Sequence, residues 1–197
     1  MTNPAFIGCS VQYTIIRSKR KSISASVNGS GELIVRAPLH MPERKIERFV
    51  EENYKALEKM QKRKLAQIQQ ANEQGMLAKA EIEALRAQAK ELIPQRVAYY
   101  APLVGIYPNN ISIKRMKTRW GSCSSKGNLN FNLLLMLAPP ETLDSVIVHE
   151  LCHLKHMDHS AQFYEEVLRV FPEYKKHNGW LKKNGAVLIA RVQEDNK

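Results

Sequence analysis

Cysteine is scarce in this 197-residue chain: Cys9, Cys123 and Cys152 stand far apart, and no C-x-x-C pair occurs. An odd, scattered set excludes a disulfide framework and a thiolate zinc knuckle, so free thiols in a reducing compartment are expected. Long apolar runs are missing too. The longest surrounds Leu133 to Leu137, far short of the roughly 20 residues that span a bilayer. The opening Met1-Thr2-Asn3-Pro4 has neither the basic start nor the apolar core of a secretory signal, and a cytoplasmic protein with no membrane segment is expected. Acidic residues are few, 19 against 30 basic, leaving a formal net charge of +11. Such an excess suits a polyanionic partner such as nucleic acid, although a solvated lysine-rich face carries it equally well. No internal repeat or low-complexity tract occurs, and a hydrophobic content of 44% is ordinary for a packed globular chain.

The pattern of side chains divides the chain into three stretches. In residues 1–40, Val11 to Arg17, Ser22 to Val27 and Glu32 to Arg36 are β-branched segments. They are separated by a basic stretch and by Asn28-Gly29-Ser30-Gly31, which reads as a small antiparallel meander. Residues 41–104 read as helix. Pro42 suits a first turn, and Ile46, Phe49, Val50, Tyr54, Leu57 and Met60 recur at helical spacing, weakening toward Gly75. A second stretch runs from Leu77 to Tyr100, where Pro94 predicts a kink. Together they suggest a helical hairpin turning at Gly75. Residues 105–197 hold a strand over Ile111 to Met116 and an alternating strand over Asn128 to Asn132. A helix starting at Pro139-Pro140-Glu141 and another over Ser160 to Phe171 follow, the latter stopped by Pro172.

His149-Glu150-Leu151-Cys152-His153 lies inside the first of those two helices. Histidines four apart share one face, so both imidazoles can reach a single ion, and the intervening Glu150 stands where it can hold a water without binding the metal. Zinc lowers the pKa of such a water to about 7, which lets a carboxylate serve as general base and later return the proton to a leaving amine. A catalytic zinc wants a third protein ligand, and His156 and His159 compete for that place. At 1.5 Å per residue, His156 would stand about 10 Å along an unbroken helix from His149. His159 can fold back if the helix ends near Met157, with Asp158 and Ser160 suited to a break and a new start; it is the favoured ligand. The spacing from His149 to His159 equals that of the metzincin motif. His156 occupies the place of the turn glycine there, however, and no methionine follows Met157, so the chain departs from that family.

Several segments together resemble the YgjP-like metallopeptidase domain family, relatives of the SprT-like proteases. They are Thr118-Arg119-Trp120-Gly121-Ser122-Cys123-Ser124, Asn128-Leu129-Asn130-Phe131-Asn132, and Val148 to His153 followed by His159, Ser160 and Phe163. The ending Pro172-Glu173-Tyr174-Lys175 with Trp180-Leu181, and the N-terminal Arg17 to Lys21 and Val35 to Pro38, are similar as well. The resemblance implies an α+β, zincin-like fold, one Zn2+ per chain on His149, His153 and His159, and Glu150 as base. It also gives Asn128, Asn130 and Asn132 a role, since an edge strand along such a cleft pairs with substrate backbone. The stretch Glu51 to Gln88 is longer in helix than the resemblance implies.

The leading expectation is a zinc metallopeptidase acting on polypeptide. Arg119 is placed to bind a substrate carboxylate or an oxyanion, and His156 and Tyr164 are further oxyanion candidates. Trp120 is expected to anchor its turn by packing. Two alternatives stand beside this. One is a nucleic-acid-associated module with a structural zinc, favoured by Lys114, Arg115, Lys117, Arg119 and Lys126 in a stretch without acidic residues. The other is a zinc hydrolase of non-peptide substrates.

Overall fold

A computed structural model describes residues 12–192, which divide into two compact units, 12–75 and 76–192. Cys9, Val11 and the N-terminal segment read for a signal lie outside the described residues. The class is α+β, as the sequence implies. Among the described residues no helix is long and apolar enough to cross a membrane.

The first unit contains strands β1 (Tyr13–Ser18), β2 (Ser24–Val27) and β3 (Leu33–Pro38), then helices α1 (Glu43–Glu52) and α2 (Tyr54–Glu73). The sheet is not an antiparallel meander. Its order is β1-β3-β2, with β1 parallel and β2 antiparallel to β3. Burial explains the order. Strand β3 alone alternates fully, with Leu33, Val35 and Ala37 completely buried, and so takes the centre. The more polar β1 and β2 fall to the edges. The expected single helix after Pro42 is broken at Asn53, whose side-chain Nδ2 and backbone N–H both donate to the Phe49 carbonyl. This local competition ends the ladder.

The boundary between units falls at Gly75, so the expected stretches 41–104 and 105–197 are not the observed divisions. Helix α2 turns Leu57 into the core of the N-terminal sheet. Helix α3 (Lys79–Val104) instead places Ala89, Ile93, Val97, Ala101 and Val104 in the second core. Their apolar faces enter different cores, so the two helices belong to different units. Helix α3 also runs through Pro94 without ending. An interior proline costs about 3 kcal/mol, whereas each large apolar side chain buried contributes about 1.5–3 kcal/mol, so the apolar stripe prevails.

The second unit continues with β4 (Asn110–Lys114), β5 (Gly121–Cys123), β6 (Asn128–Asn132), a 3₁₀ turn (Leu133–Leu137), α4 (Pro140–Cys152), α5 (Ala161–Val170) and α6 (Tyr174–Ala190). Its sheet has the order β4-β6-β5, β4 parallel and β5 antiparallel to β6. Leu129 and Phe131 of β6 meet Ile147, Val148 and Leu151 of α4 in one core, which lays the histidine-bearing helix against the sheet.

Candidate active site

Helix α4 begins with Pro140 at its first turn and ends at Cys152, with His153 as its cap. This end is one turn earlier than the expected break near Met157, and the residues after it turn back on the helix. His153 Nδ1–H donates to the backbone carbonyl of His156 at 3.0 Å, which fixes the turn and leaves Nε2 with its lone pair. His156 thus contributes its carbonyl to this site. Ser160 caps α5 by accepting from the Phe163 N–H, and the Asp158 carboxylate accepts from the Ser160 N–H. The two contacts hold His159 between the helices. Glu166 ties the turn to α5, accepting from Lys155 at 2.7 Å and from Arg169 Nε at 2.8 Å. These two cations hold its carboxyl down at about 2, against the opposing effect of burial.

His149, His153 and His159 converge, their ligand atoms all within 4.8 Å of one another. His149 Nε2 lies 3.1 Å from His153 Nε2 and 3.3 Å from His159 Nε2. Tetrahedral bonds of about 2.0–2.1 Å place nitrogen ligands about 3.3–3.4 Å apart, so the two separations from His149 are close to those of three imidazoles that share one metal ion. Burial, reinforced by the neighbouring imidazoles, lowers the His149 pKa to about 3 and shifts His153 in the same direction. Both rings are therefore neutral near pH 7, the form that binds a cation. Phe163 is fully buried beneath the cluster, with its ring centroid 4.9, 4.4 and 5.1 Å from those of His149, His153 and His159.

Glu150 is 5% exposed, and burial pushes its carboxyl up to about 8 against the lowering influence of Arg119. Its side chain rests on the backbone of β5. A Cβ built on Gly121 would stand 2.6 Å from Glu150 Cδ and Cγ, so only glycine leaves room for the carboxylate there. Trp120, the preceding residue, has a similar niche. A Cβ on Gly185 of α6 would approach its indole Nε1 to 2.9 Å, and the indole packs on that bare helix surface as the expected anchor.

A cleft of about 330 Å³ opens from Glu150 and His149. Helix α4 lines it with Ser145 and Val146, and the segment before β5 with Thr118, Arg119 and Trp120. Helix α6 supplies Tyr174, Asn178, Leu181 and Lys182, positions that share one helical face. Tyr174 Oη lies 2.9 Å from His149 Nδ1. Tyr164 stands beside His159, ring centroids 6.1 Å apart. Sequence reasoning missed α6 and with it the role of Tyr174. Its signals were the Pro172 to Lys175 segment and Trp180-Leu181, which the resemblance picks out without marking a helix, because Gly179 and Gly185 interrupt the helical pattern.

The asparagines do not form the expected edge. Strand β6 is the centre of its sheet, so its backbone groups already have partners on both sides. Asn132 is fully buried, and its Nδ2 donates to the carbonyls of Met116 and Arg119 at 2.8 and 2.9 Å. Asn130 donates to Ser122 Oγ, and the Asn128 backbone N–H donates to Ser124 Oγ. Asn132 thus braces the loop that carries Arg119 and Trp120, while Asn130 and Asn128 tie β6 to β5 and to the turn that follows it. The edge beside α4 is β5. Bonds from Asn132 N to Trp120 O and from Ser124 N to Asn128 O, with Ser122 opposite Asn130, set the alternation. It follows that Gly121 and Cys123 turn their backbone groups to the unpaired edge. The thiols are not activated: burial raises the pKa of Cys123 and takes Cys152 to about 12.

A family model described as YgjP-like, metallopeptidase domain, matches residues 65–184. The chain belongs to the YgjP-like metallopeptidase family. The matched span contains every residue of the cleft and the histidine cluster. Among solved structures, the zymogen of abylysin from Pyrococcus abyssi, a metallopeptidase, shares 23% identity at a TM-score of 0.43, over 47% of this chain and 94% of that one. The zymogen of jannalysin, a metallopeptidase from Methanocaldococcus jannaschii, shares 28% at a TM-score of 0.42, over 46% and 94%. Comparison with curated proteins gives no match. Membership of the YgjP-like family implies a divalent metal and peptide substrates.

Proposed function

We propose that this YgjP-like protein hydrolyses peptide bonds with one zinc ion held by Nε2 of His149, His153 and His159, and with Glu150 as general base. The observation that carries this reading is the convergence of three imidazoles beside a buried carboxylate at the mouth of a cleft. Zinc bound there would supply a Lewis acid that acidifies water and polarises a carbonyl. Glu150 takes a proton from the attacking water as the new C–O bond forms. It then delivers that proton to the amine nitrogen as the C–N bond breaks. Its high proton affinity in a buried position suits both transfers, and a cation bound by the three histidines would draw its pKa down toward the working range. With Nε2 directed at a metal, His149 Nδ1 carries the hydrogen and donates it to Tyr174 Oη, as His153 does to the His156 carbonyl. We place the substrate backbone on the outer edge of β5, where Gly121 and Cys123 offer unpaired groups.

Glu150→Gln is expected to retain zinc by elemental analysis while losing about 10²- to 10⁴-fold in peptide turnover. His159→Ala is expected to lose the metal itself. Full turnover in Glu150→Gln would remove the base from this scheme, and undiminished zinc in His159→Ala would remove the third ligand.

A further inference from the structure

The cleft has a chemically distinct far end. Lys182 follows Tyr174 by eight residues on the same face of α6, about 12 Å along the helix axis. Arg119 lines the cleft from the segment before β5. Neither side chain forms an ion pair with any described residue. The single carboxylate on the cleft wall, Glu150, belongs to the histidine end. No acidic residue occurs in 111–138 or in 174–190, the stretches that supply this basic end. The nearest, Glu173, accepts from Lys176. Trp120, Val146 and Leu181 supply the apolar part of the cleft wall. Two cations without an ion-pair partner, Arg119 within electrostatic reach of Glu150 and Lys182 farther along α6, give the cleft a positive potential that water in an open cleft only partly screens.

We infer that the cleft selects polypeptide bearing a carboxylate close to the scissile bond, drawn by Lys182 and Arg119. This rests on the peptidase reading above and names its substrate class. The carboxylate can come from an acidic side chain or from the chain terminus; the cations meet the same group in either case. A nucleic-acid strand fits less well, because it needs an open groove with stacking faces. Here the cleft's one tryptophan is packed against Gly185.

The test compares three zinc-supplemented peptide substrates of otherwise identical sequence. One has Glu flanking the cleaved bond, one has Gln there with a distant amidated end, and one has Gln with its free C-terminus at the flanking position. Partly exposed charge pairs predict an advantage of about fivefold in kcat/KM for a carboxylate peptide over the amidated Gln peptide. Whichever carboxylate peptide is favoured identifies the source. Lys182→Glu should bring that ratio to one or below, whereas Lys176→Glu, an equal charge change outside the cleft, should leave it in place. Equal cleavage of all three peptides, or a ratio indifferent to Lys182→Glu, would overturn the inference. Binding of the same peptides to the Glu150→Gln protein decides it independently of turnover. Absence of cleavage would count against the peptidase reading, while equal affinities would count against the inference alone. Equal affinities combined with displacement of the peptides by a short single-stranded oligonucleotide would assign the basic end to nucleic acid instead.

Discussion

At the scale of single residues, His149 is constrained on both ring nitrogens. Its Nε2 faces the other two imidazoles, and its Nδ1 lies 2.9 Å from Tyr174 Oη. Loss of an outer partner to a metal-binding histidine typically costs ten- to a hundredfold in metal affinity or activity. Tyr174→Phe keeps the ring, so the protein is expected to fold normally while its zinc affinity falls by about that factor. A competitive chelator titration would measure this, and unchanged affinity would reduce Tyr174 to a wall of the cleft. The convergence of His149, His153 and His159 was legible because spacing along a helix and a new helix start at Ser160 are local properties, although the first helix ends at Cys152 and not near Met157. Tyr174 was not legible, since its relation to His149 spans 25 residues and depends on how α6 packs. Gly121 and Gly185 illustrate the same limit. Nothing local shows why either must be glycine, and each makes room for a side chain that arrives from elsewhere in the fold.

At the scale of elements, the helix that carries the histidines is positioned from behind by α3. Arg96 Nε donates to Asp144 Oδ1 at 2.7 Å, and the Tyr100 hydroxyl donates to the same carboxylate at 3.2 Å. Asp144 has only 9% of its side chain exposed, so it relies on these partners. Arg96→Met would leave a buried carboxylate short of its cation. Because Arg96 is itself partly solvated, the expected loss of stability is about 2–3 kcal/mol rather than the full cost of a buried ion. Thermal or denaturant unfolding would measure it, with zinc content unchanged in the folded protein. An effect below about 0.5 kcal/mol, the range of an ordinary surface change, would show that α4 is held by its apolar face alone. The helices α4 and α5 were legible from their proline and serine starts. Strand order was not. β1 could not be read as parallel to β3, nor β6 as a central strand, because alternation reveals which face is buried and not which strand lies alongside.

At the scale of the molecule, every group of the site belongs to the unit 76–192, and the unit 12–75 contributes none of them. Metal binding stabilises the state that holds it in proportion to ligand concentration over affinity. Zinc is therefore expected to slow amide exchange in 145–163 and 174–182 and to leave the strands of the first unit unchanged. Hydrogen exchange with and without zinc tests this. Protection confined to the first unit would mean that the histidine cluster is not where the metal acts.

What the sequence determined by itself was the chemistry on offer: a histidine pair one helical turn apart, a carboxylate between them, a third histidine after a capped break, and a strong excess of positive charge. These follow from local periodicity, capping and composition, which need no knowledge of distant contacts. Only the tertiary structure decided which strand has a free edge, that α6 supplies the opposite wall of the cleft, and that Arg119 and Lys182 line that cleft together. Those facts depend on which buried faces find one another across long stretches of chain. Periodicity shows that a face will be covered, but not by what.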